Sequence, residues 1–337
     1  MKLSPSRIIF QFVIITIINL TLVHAQEESE SKSSSSIFKV KTSYLSNSVY
    51  NGRKDSLEVP YLNFSLKYFN SGGFYAGAGI SYLVSSYAQR IDAFNINAGY
   101  FKAINDNFDF SVNLSKSIYN SNSVSVISEI LGNVSGNVTY TNKFFDISAG
   151  AYVMVTPTNP DFNFNLSASH TFNLDPEEQW SIEPAVDVNF GSRHYYGSYI
   201  SERQRKKGKG SSSGGSGGTG GGGTGGGGTG GGGTGGGGTG SGNPVIDIEK
   251  TVVALGTDQL KLLDYEISVP LYYRGKKWGF FFIPTYAIPQ SPITYETTVK
   301  TTITANGNSV STTKVLPQAV ESLSNVFYGE IGVTYKF

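Results

Sequence analysis

The chain has 337 residues, and its 26 lysines and arginines nearly balance its 25 aspartates and glutamates, so that the formal net charge at pH 7 is +1. This balance argues against a nucleic-acid-binding protein, which normally carries a strongly basic surface. The sequence contains no cysteine, which excludes disulfides, thiol chemistry and a lipid-anchored cysteine. Aromatic residues make up 13% of the chain and recur in short alternating runs, a pattern that favours β-strands.

The first 25 residues have the pattern of a secretory signal peptide. Lys2 and Arg7 precede an apolar stretch over 8–22, and small residues precede an abruptly polar segment after Ala25. The apolar stretch is short for a membrane-spanning anchor, so we expect cleavage after Ala25. Removing the two basic residues of the leader leaves 24 basic against 25 acidic residues, a net charge of −1. Residues 26–36 are polar and predict a disordered periplasmic lead.

From residue 37 onward, alternating apolar and polar residues predict twelve strands. They cover roughly residues 37–50, 58–70, 74–86, 89–104, 108–119, 127–141, 144–155, 162–173, 179–191, 259–273, 278–288 and 323–337. Connections after even-numbered strands are short turns, whereas the others are mostly longer, and two, over 192–258 and 289–322, are very long. Outer-membrane barrels sort their connections in this way, with short periplasmic turns and longer external loops.

We therefore predict an all-β fold, a transmembrane antiparallel up-and-down β-barrel of about 12 strands that forms a single domain over residues 37–337. The alternative is a soluble β-sandwich, in which there is no reason for short connections to follow the even-numbered strands and longer ones the odd-numbered strands. The even strand count places both termini in the periplasm and the two very long loops outside the cell. After the leader, no apolar run reaches the length of a membrane helix.

The last strand predicts how the barrel meets the membrane. Phe327, Ile331 and Val333 alternate with polar residues, and the chain ends with Tyr335 and Phe337 on the apolar side. These two residues are expected to form the C-terminal insertion signature, seated in an aromatic girdle at the interface. The opposite faces of the strands are rich in Ser, Asn, Thr and Gly, which predicts a hydrated lumen.

Four segments carry a resemblance to a known family: residues 59–69, 73–83, 278–290 and the terminal strand. In the style of its hairpins the chain resembles the small outer-membrane β-barrel proteins of the Bacteroidota. The resemblance implies export across the inner membrane and insertion by the barrel assembly machinery. It implies no particular activity, because such barrels include pores, anchors and accessory subunits of larger machines.

Charged residues on the polar faces are predicted to line the lumen. They form an acidic wall on the later strands and a basic wall on the first two: Glu183, Asp187, Asp264, Glu266 and Glu330 against Lys39, Lys41 and Lys67. Such walls could orient a polar solute in a channel. They could equally form charge pairs that seal a narrow lumen, which we favour because buried charges are usually paired.

The first very long loop contains a basic cluster followed by a Gly-rich repeat. The cluster is Arg203, Arg205, Lys206, Lys207 and Lys209, and residues 208–242 include four Thr-Gly-Gly-Gly-Gly units. The cluster is a candidate contact for lipopolysaccharide phosphates or an acidic partner, with a merely solvated loop as the alternative. The repeat predicts a flexible coil, and an artificial linker is the other interpretation.

The second very long loop is predicted to contain a β-hairpin. Two Thr-rich runs flank Asn306-Gly307, which is a strong turn signal. We expect the eleventh and twelfth strands to extend outward as a ribbon whose free edges suit a protein partner. An extension that only lengthens the barrel wall is the alternative.

The sequence does not favour an enzyme, a cofactor or a metal site. His24 is in the leader, His170 is on the apolar face of its strand, and His194 is in a long loop next to Arg193. His170 therefore has no serine on its own face of the strand, and no histidine cluster has metal-ligand spacing. We therefore expect a non-catalytic structural or accessory subunit of an outer-membrane complex, in contact with lipid, lipopolysaccharide and other surface proteins. The alternative is a passive channel for small polar solutes.

Overall fold

The computed structural model describes residues 36–55, 57–200, 245–305 and 308–337. The signal peptide, the lead up to residue 35 and the Gly-rich repeat lie outside the described residues, as does the whole basic cluster of Arg203, Arg205, Lys206, Lys207 and Lys209. The described chain belongs to two compact units. One comprises the residues up to Tyr199 together with Ala254–Thr294 and Val320–Phe337, and the other comprises parts of Ile200–Val253 and Tyr295–Ala319.

The first unit is a closed antiparallel barrel of twelve strands, which confirms the predicted fold. Its strands are β1 (Ile37–Leu45), β2 (Tyr61–Phe69), β3 (Phe74–Val84), β4 (Gln89–Ala103), β5 (Phe108–Tyr119), β6 (Gly132–Thr141), β7 (Asp146–Val155), β8 (Asp161–Ser169), β11 (Ala185–Gly191), β13 (Lys261–Ser268), β15 (Trp278–Pro289) and β19 (Val326–Lys336). Short pieces continue three of them: β9 (Phe172–Asn173), β10 (Trp180–Ile182) and β14 (Leu271–Arg274). Neighbouring strands pair in chain order, and β1 pairs with β19 to close the ring.

The second unit contains a separate sheet, which the prediction of one domain did not include. The sheet is formed by β12 (Val245–Leu255), β16 (Thr294–Ala305) and β17 (Asn308–Val315), with the short β18 (Ala319–Val320). The Thr-rich hairpin is present, since β16 and β17 pair antiparallel on either side of Asn306-Gly307. The prediction that the eleventh and twelfth barrel strands continue into this hairpin was wrong, because β16 and β17 belong to a separate sheet. The ladder of β15 ends at Pro289, and Ser291 (φ 52°) turns the chain in the left-handed region before Pro292.

Along most of the barrel wall, apolar side chains face outward and polar side chains face the lumen. On β8, Phe162, Phe164 and Leu166 are exposed, whereas Asn163 and Asn165 are buried inside. This arrangement reverses the burial pattern of a water-soluble protein. It fits a barrel surrounded by hydrocarbon, where the closed ladder satisfies every strand edge. The described residues include no helix that is long and apolar enough to cross a membrane.

Aromatic side chains form a girdle on the outer surface at the end of the barrel that carries the short turns. Five cross-strand pairs of Phe or Trp with Tyr lie there, with ring centroids 4.7–5.0 Å apart: Phe38–Tyr68, Phe74–Tyr100, Phe108–Tyr140, Trp180–Tyr273 and Trp278–Tyr335. Phe337 stacks edge-on against Tyr335 at 4.8 Å. Amphipathic rings favour the interface between hydrocarbon and water, so the girdle marks one membrane boundary.

Three prolines interrupt the wall on neighbouring strands. Pro184 separates β10 from β11, Pro270 separates β13 from β14, and Pro284 lies within β15. Each proline carbonyl accepts a backbone hydrogen bond from the adjacent strand, at 2.9–3.3 Å, but proline has no N–H to donate. The strands predicted as continuous over 179–191 and 259–273 are each divided for this reason.

Candidate functional site: the capped lumen

At the end opposite the girdle, three connections fold inward and form a cap over the lumen. The cap comprises the described residues 46–55, 57–60, 120–131 and 192–199. Its buried side chains include Asn51, Arg53, Asp55, Ser125, Val126, Ile130, Arg193, Tyr195 and Tyr199. The predicted strands over 37–50 and 127–141 were too long at this end, because residues 46–50 and 127–131 belong to the cap and not to the wall.

Arg53 connects the cap to the wall at the point where β15 ends. Its Nη2 donates to the carbonyl oxygens of Gln290 (3.2 Å) and Ser291 (3.1 Å) and lies 3.3 Å from the Glu321 carboxylate. Its Nη1 donates to the Asn51 carbonyl oxygen at 3.1 Å. The residue is only 3% exposed, so these acceptors replace the water that a buried guanidinium loses.

Arg193 reaches the same place from the other side of the cap, where its Nη1 also donates to the carbonyl oxygen of Ser291. Next to it, Asp161 at the start of β8 accepts hydrogen bonds from the backbone N–H groups of His194 (2.8 Å) and Tyr195 (2.7 Å). These two groups begin a short helix over 194–200, and a carboxylate at that position satisfies donors that have no partner within the helix. His194, predicted to be in an irregular loop, is therefore fixed, with its Nδ1 2.9 Å from Asp161.

Tyrosines fill the centre of the cap. The Tyr199 hydroxyl donates to the Asp55 carboxylate, and the rings of Tyr50 and Tyr195 meet edge to face at 5.4 Å. Burial raises the pKa of both Tyr50 and Tyr195 above the ordinary value of a phenol, so both remain neutral. The cap therefore combines aromatic packing with charged hydrogen bonds at its edges.

A bulge in β4 connects the wall to the second cap segment. The bulge places Asp92 fully inside, where its carboxylate accepts hydrogen bonds from the hydroxyls of Tyr61 (2.5 Å) and Ser123 (2.7 Å). Arg90 Nε donates to the same carboxylate at 2.9 Å. One buried acid thus holds β4, the start of β2 and residues 120–131 together.

Below the cap, the lumen contains a cavity of about 180 Å³ against the wall formed by β1–β5. Asn, Ser and Tyr side chains line it, among them Asn63, Asn95 and Tyr75, and cap residues Ser48 and Ser125 close its upper end. Three lysines and one carboxylate also line the cavity: Lys39, Lys41, Lys67 and Glu330. The interior also contains an apolar cluster of Tyr272, Phe281 and Ile283, with Lys41 Nζ 4.6 Å from the centroid of the Phe281 ring, although a polar lining was predicted throughout.

The predicted lumen charges are all placed inside but form three groups and not two walls. Lys41 Nζ lies 3.0 Å from Glu330, so this acid belongs with the lysines and not with the acidic wall. Glu183 lies in the break before β11, 3.9 Å from Arg274. The third group, on β11 and β13, consists of Asp187, Asp264 and Glu266, which accept hydrogen bonds from Asn165, Asn189 and Tyr328 respectively.

Most of the residues that close the lumen were not predictable from the sequence. Three of them lie at or beyond strand ends, where alternation does not show which way a side chain points: Arg53, Arg193 and Asp161. The Asn51-Gly52 pair, a turn signal beside a basic residue, indicated only that the chain reverses there. Lys336 is on the polar side of the last strand by alternation, although the predicted lumen set does not include it. Within the described residues, no group of three or more metal-ligating side chains converges.

No protein-family model matches the chain, and no curated protein matches it. Among solved structures, it is similar to the NanC porin (9% identity, TM-score 0.43, covering 89% of this chain and 100% of that one). It is also similar to the KdgM porin (10% identity, TM-score 0.37, covering 90% and 99%) and to Salmonella typhi OmpF in complex with daunomycin (7%, 0.30, 90% and 97%).

Because these TM-scores are below 0.5, the assignment of the fold rests on the strand pairings of the chain itself. The ring closes from β1 to β19, the exterior is apolar and an aromatic girdle encircles one end. These are the properties that a barrel needs in a lipid bilayer. The chain is an integral membrane β-barrel of the outer-membrane type, with twelve antiparallel strands.

Proposed function

We propose that the protein is a non-catalytic barrel of the outer membrane that acts as a structural or accessory subunit of a larger complex, with its long connections outside the cell. The observation that carries this proposal is the cap. Two buried arginines, a hydrogen-bonded helix start and the buried Asp92 hold three connections inside one mouth of the barrel, an arrangement suited to a closed lumen. If the lumen is closed, partners must bind the segments that project from the barrel wall.

The second unit supplies a surface for partners. Every residue of β17 is exposed, and β17 is an edge strand of the sheet formed by β12, β16 and β17. Such an edge has backbone groups free to pair with a strand of another protein. We infer that this hairpin, together with the basic cluster of the first long loop, contacts surface proteins or lipopolysaccharide.

Two measurements test this function together. In planar bilayers, we expect the wild-type barrel to show little conductance, and crosslinking in native membranes followed by purification should recover a partner in fixed stoichiometry. Deletion of residues 296–317, which removes most of the hairpin, should abolish recovery of the partner and leave the barrel folded. A barrel recovered alone from native membranes, with or without the hairpin, would contradict the proposal.

A passive channel for small polar solutes is the second candidate, and the polar cavity below the cap favours it. If the barrel conducts, ions must pass the lysines that line this cavity. Steady single-channel conductance in the wild type, with a selectivity that changes in Lys39→Gln, would favour the channel over the accessory subunit. An exterior variant, Lys102→Gln, serves as the control because Lys102 is exposed.

A further inference from the structure

A tight turn forms the tip of the cap segment over residues 46–55. Tyr50 and Arg53 exchange both backbone hydrogen bonds, at 2.9 and 3.0 Å. Between them, Asn51 and Gly52 both have positive φ, 49° and 69°. Positive φ at both central residues and an Asn-Gly sequence are typical of a two-residue β-hairpin turn. The tip is therefore a defined local structure that carries the Arg53 side chain.

This tip lies against the end of β15. A Cβ added at Gly52 would come within 2.8 Å of the Pro289 Cβ and 2.9 Å of its Cα, so the close approach requires glycine. Just beyond Pro289, the guanidinium of Arg53 donates to the carbonyl oxygens of Gln290 and Ser291. The tip is therefore seated where the second long connection leaves the wall.

The returning end of the same connection is held at the same point. The N–H of Glu321 donates to the carbonyl oxygen of Ile293 at 2.8 Å. One carboxylate oxygen of Glu321, Oε2, accepts hydrogen bonds from the Ile293 N–H at 3.1 Å and from Arg53 Nη2 at 3.3 Å. This single oxygen joins the two ends of the connection to each other and to the cap. Separating residue 293 from residue 321 therefore disturbs the contact that holds Arg53.

The cap is also attached to the first long connection where that connection returns to the wall. The Arg193 N–H donates to the carbonyl oxygen of Thr257 at 2.6 Å, two residues beyond the end of β12 at Leu255. A Cβ added at Gly197 would lie 3.3 Å from side-chain atoms of both Ala254 and Thr257. Both long connections therefore contact the cap at their roots.

Apolar packing and polar contacts hold different parts of the cap segment over 46–60. Near its two ends, Val49 packs against a buried apolar cluster that includes Tyr328, and Val59 belongs to another cluster with Leu83. At the tip, the contacts of Arg53 with the second connection are hydrogen bonds of a charged group. Water can replace such bonds when the tip moves outward, because their net contribution is a small difference between protein and water partners. The segment is thus anchored at its ends and releasable at its tip.

We propose that the cap is a gate. Arg53 and its acceptors Gln290, Ser291 and Glu321, which we call the latch, hold the gate shut, and the gate opens when residues 293 and 321 separate. Opening exposes the polar cavity below the cap. A partner that binds the segment between these two residues is the stimulus that this arrangement suits, and this trigger alone rests on the proposed function.

The first experiment measures conductance of the full chain refolded into planar bilayers. Arg53→Gln and Glu321→Ala each remove charged hydrogen bonds of the latch. Each should raise the fraction of time in which the barrel is open by about tenfold or more over the wild type, the effect expected from the loss of one such bond. Glu58→Ala is the matched control, because it removes an exposed acid from the same cap segment and should leave the barrel closed.

The second experiment measures access to the space under the cap. The chain has no cysteine, so Ser125→Cys introduces a single thiol at a position that is 1% exposed. A water-soluble maleimide should modify this thiol about tenfold or more faster when Arg53→Gln or Glu321→Ala is added. Ser86→Cys, at an exposed position in the turn between β3 and β4, should react at the same rate with and without the latch substitutions.

The gate is disproved if the latch variants fold, as shown by circular dichroism, but conduct no more than Glu58→Ala and leave the thiol of Ser125→Cys protected. Steady conduction by the wild type would also disprove it, because the cap would then not close the lumen. Glu321→Ala remains informative if Arg53→Gln does not fold. Recovery of a partner from native membranes does not enter these measurements, so a failure of the proposed function and a failure of the gate are distinguishable.

Discussion

The guanidinium of Arg53 donates a hydrogen bond of 3.1 Å to the carbonyl oxygen of Ser291, although 238 positions separate the two residues in the chain. Ser291 has a φ of 52° and lies two residues beyond the end of β15 at Pro289, where the chain leaves the wall. The contact therefore fixes the cap and the root of the second long connection to each other.

Replacing Arg53 should destabilise the barrel more than the loss of one charge suggests. In Arg53→Ala, the Glu321 carboxylate and the carbonyl groups of Gln290 and Ser291 lose a buried donor, and we expect a loss of about 3 kcal/mol in the free energy of unfolding. Urea titration followed by tryptophan fluorescence measures it. Lys54→Ala, an exposed neighbour, should change little. Equal effects of the two substitutions would show that Arg53 does not hold the cap.

A charge on the outer face should be costly only within the membrane. Ile331 on β19 is 43% exposed and faces outward between Tyr44 and Phe282. Ile331→Arg should cost about 2–4 kcal/mol when the barrel folds into lipid vesicles. Ile303→Arg is the control, because Ile303 in the hairpin sheet is 44% exposed and should tolerate the charge to within about 0.5 kcal/mol. The assigned outer face would be wrong if both arginines were equally tolerated.

The bulge residue Asp92 should stabilise the second cap segment. Asp92→Ala removes the acceptor shared by Tyr61, Arg90 and Ser123, and leaving buried donors unpaired should cost at least about 2 kcal/mol. Limited proteolysis should then cleave within residues 120–131 faster than in the wild type. The control is Asp106→Ala in an exposed short turn. An unchanged cleavage rate in Asp92→Ala would mean that other contacts hold this segment.

The turn between β2 and β3 should depend on a glycine. Gly73 has a φ of 92°, and a Cβ added there would collide with the carbonyl oxygen of Phe101. Gly73→Ala should lower stability by about 1–3 kcal/mol, measured by urea unfolding and by the fraction that refolds in detergent. Gly72→Ala, whose Cβ would meet only the flexible side chain of Asn70, should have a smaller effect. The strain argument fails if the two alanine variants unfold at the same urea concentration.

The barrel could be predicted from the sequence because alternation is a local property that the membrane reinforces on every strand. Phe162 to Leu166 shows this, since each apolar residue faces outward as its position in the strand requires. Part of the girdle, namely Tyr335 and Phe337, could also be predicted from the sequence. Its cross-strand pairs could not, because they depend on strand register, which the sequence of one strand does not reveal.

The capped lumen was not predictable, since its contacts join residues that are remote in the chain and lie where alternation ends. Asp161 and His194 are 33 positions apart, and Tyr199 and Asp55 are 144 apart. The grouping of Glu330 with Lys41 depends on ring closure between β1 and β19. Alternation along single strands therefore predicts which charged residues face the lumen, but not which residues they contact.

The three prolines on neighbouring strands give the cylinder a seam. Where Pro184, Pro270 and Pro284 stand, three adjoining strands each lack one cross-strand amide donor, while β2 to β5 run without a proline. Amide protons flanking the seam should exchange with deuterium sooner than those of β2 to β5. If the barrel wall opens laterally toward the lipid, we expect the strands to separate at these prolines first.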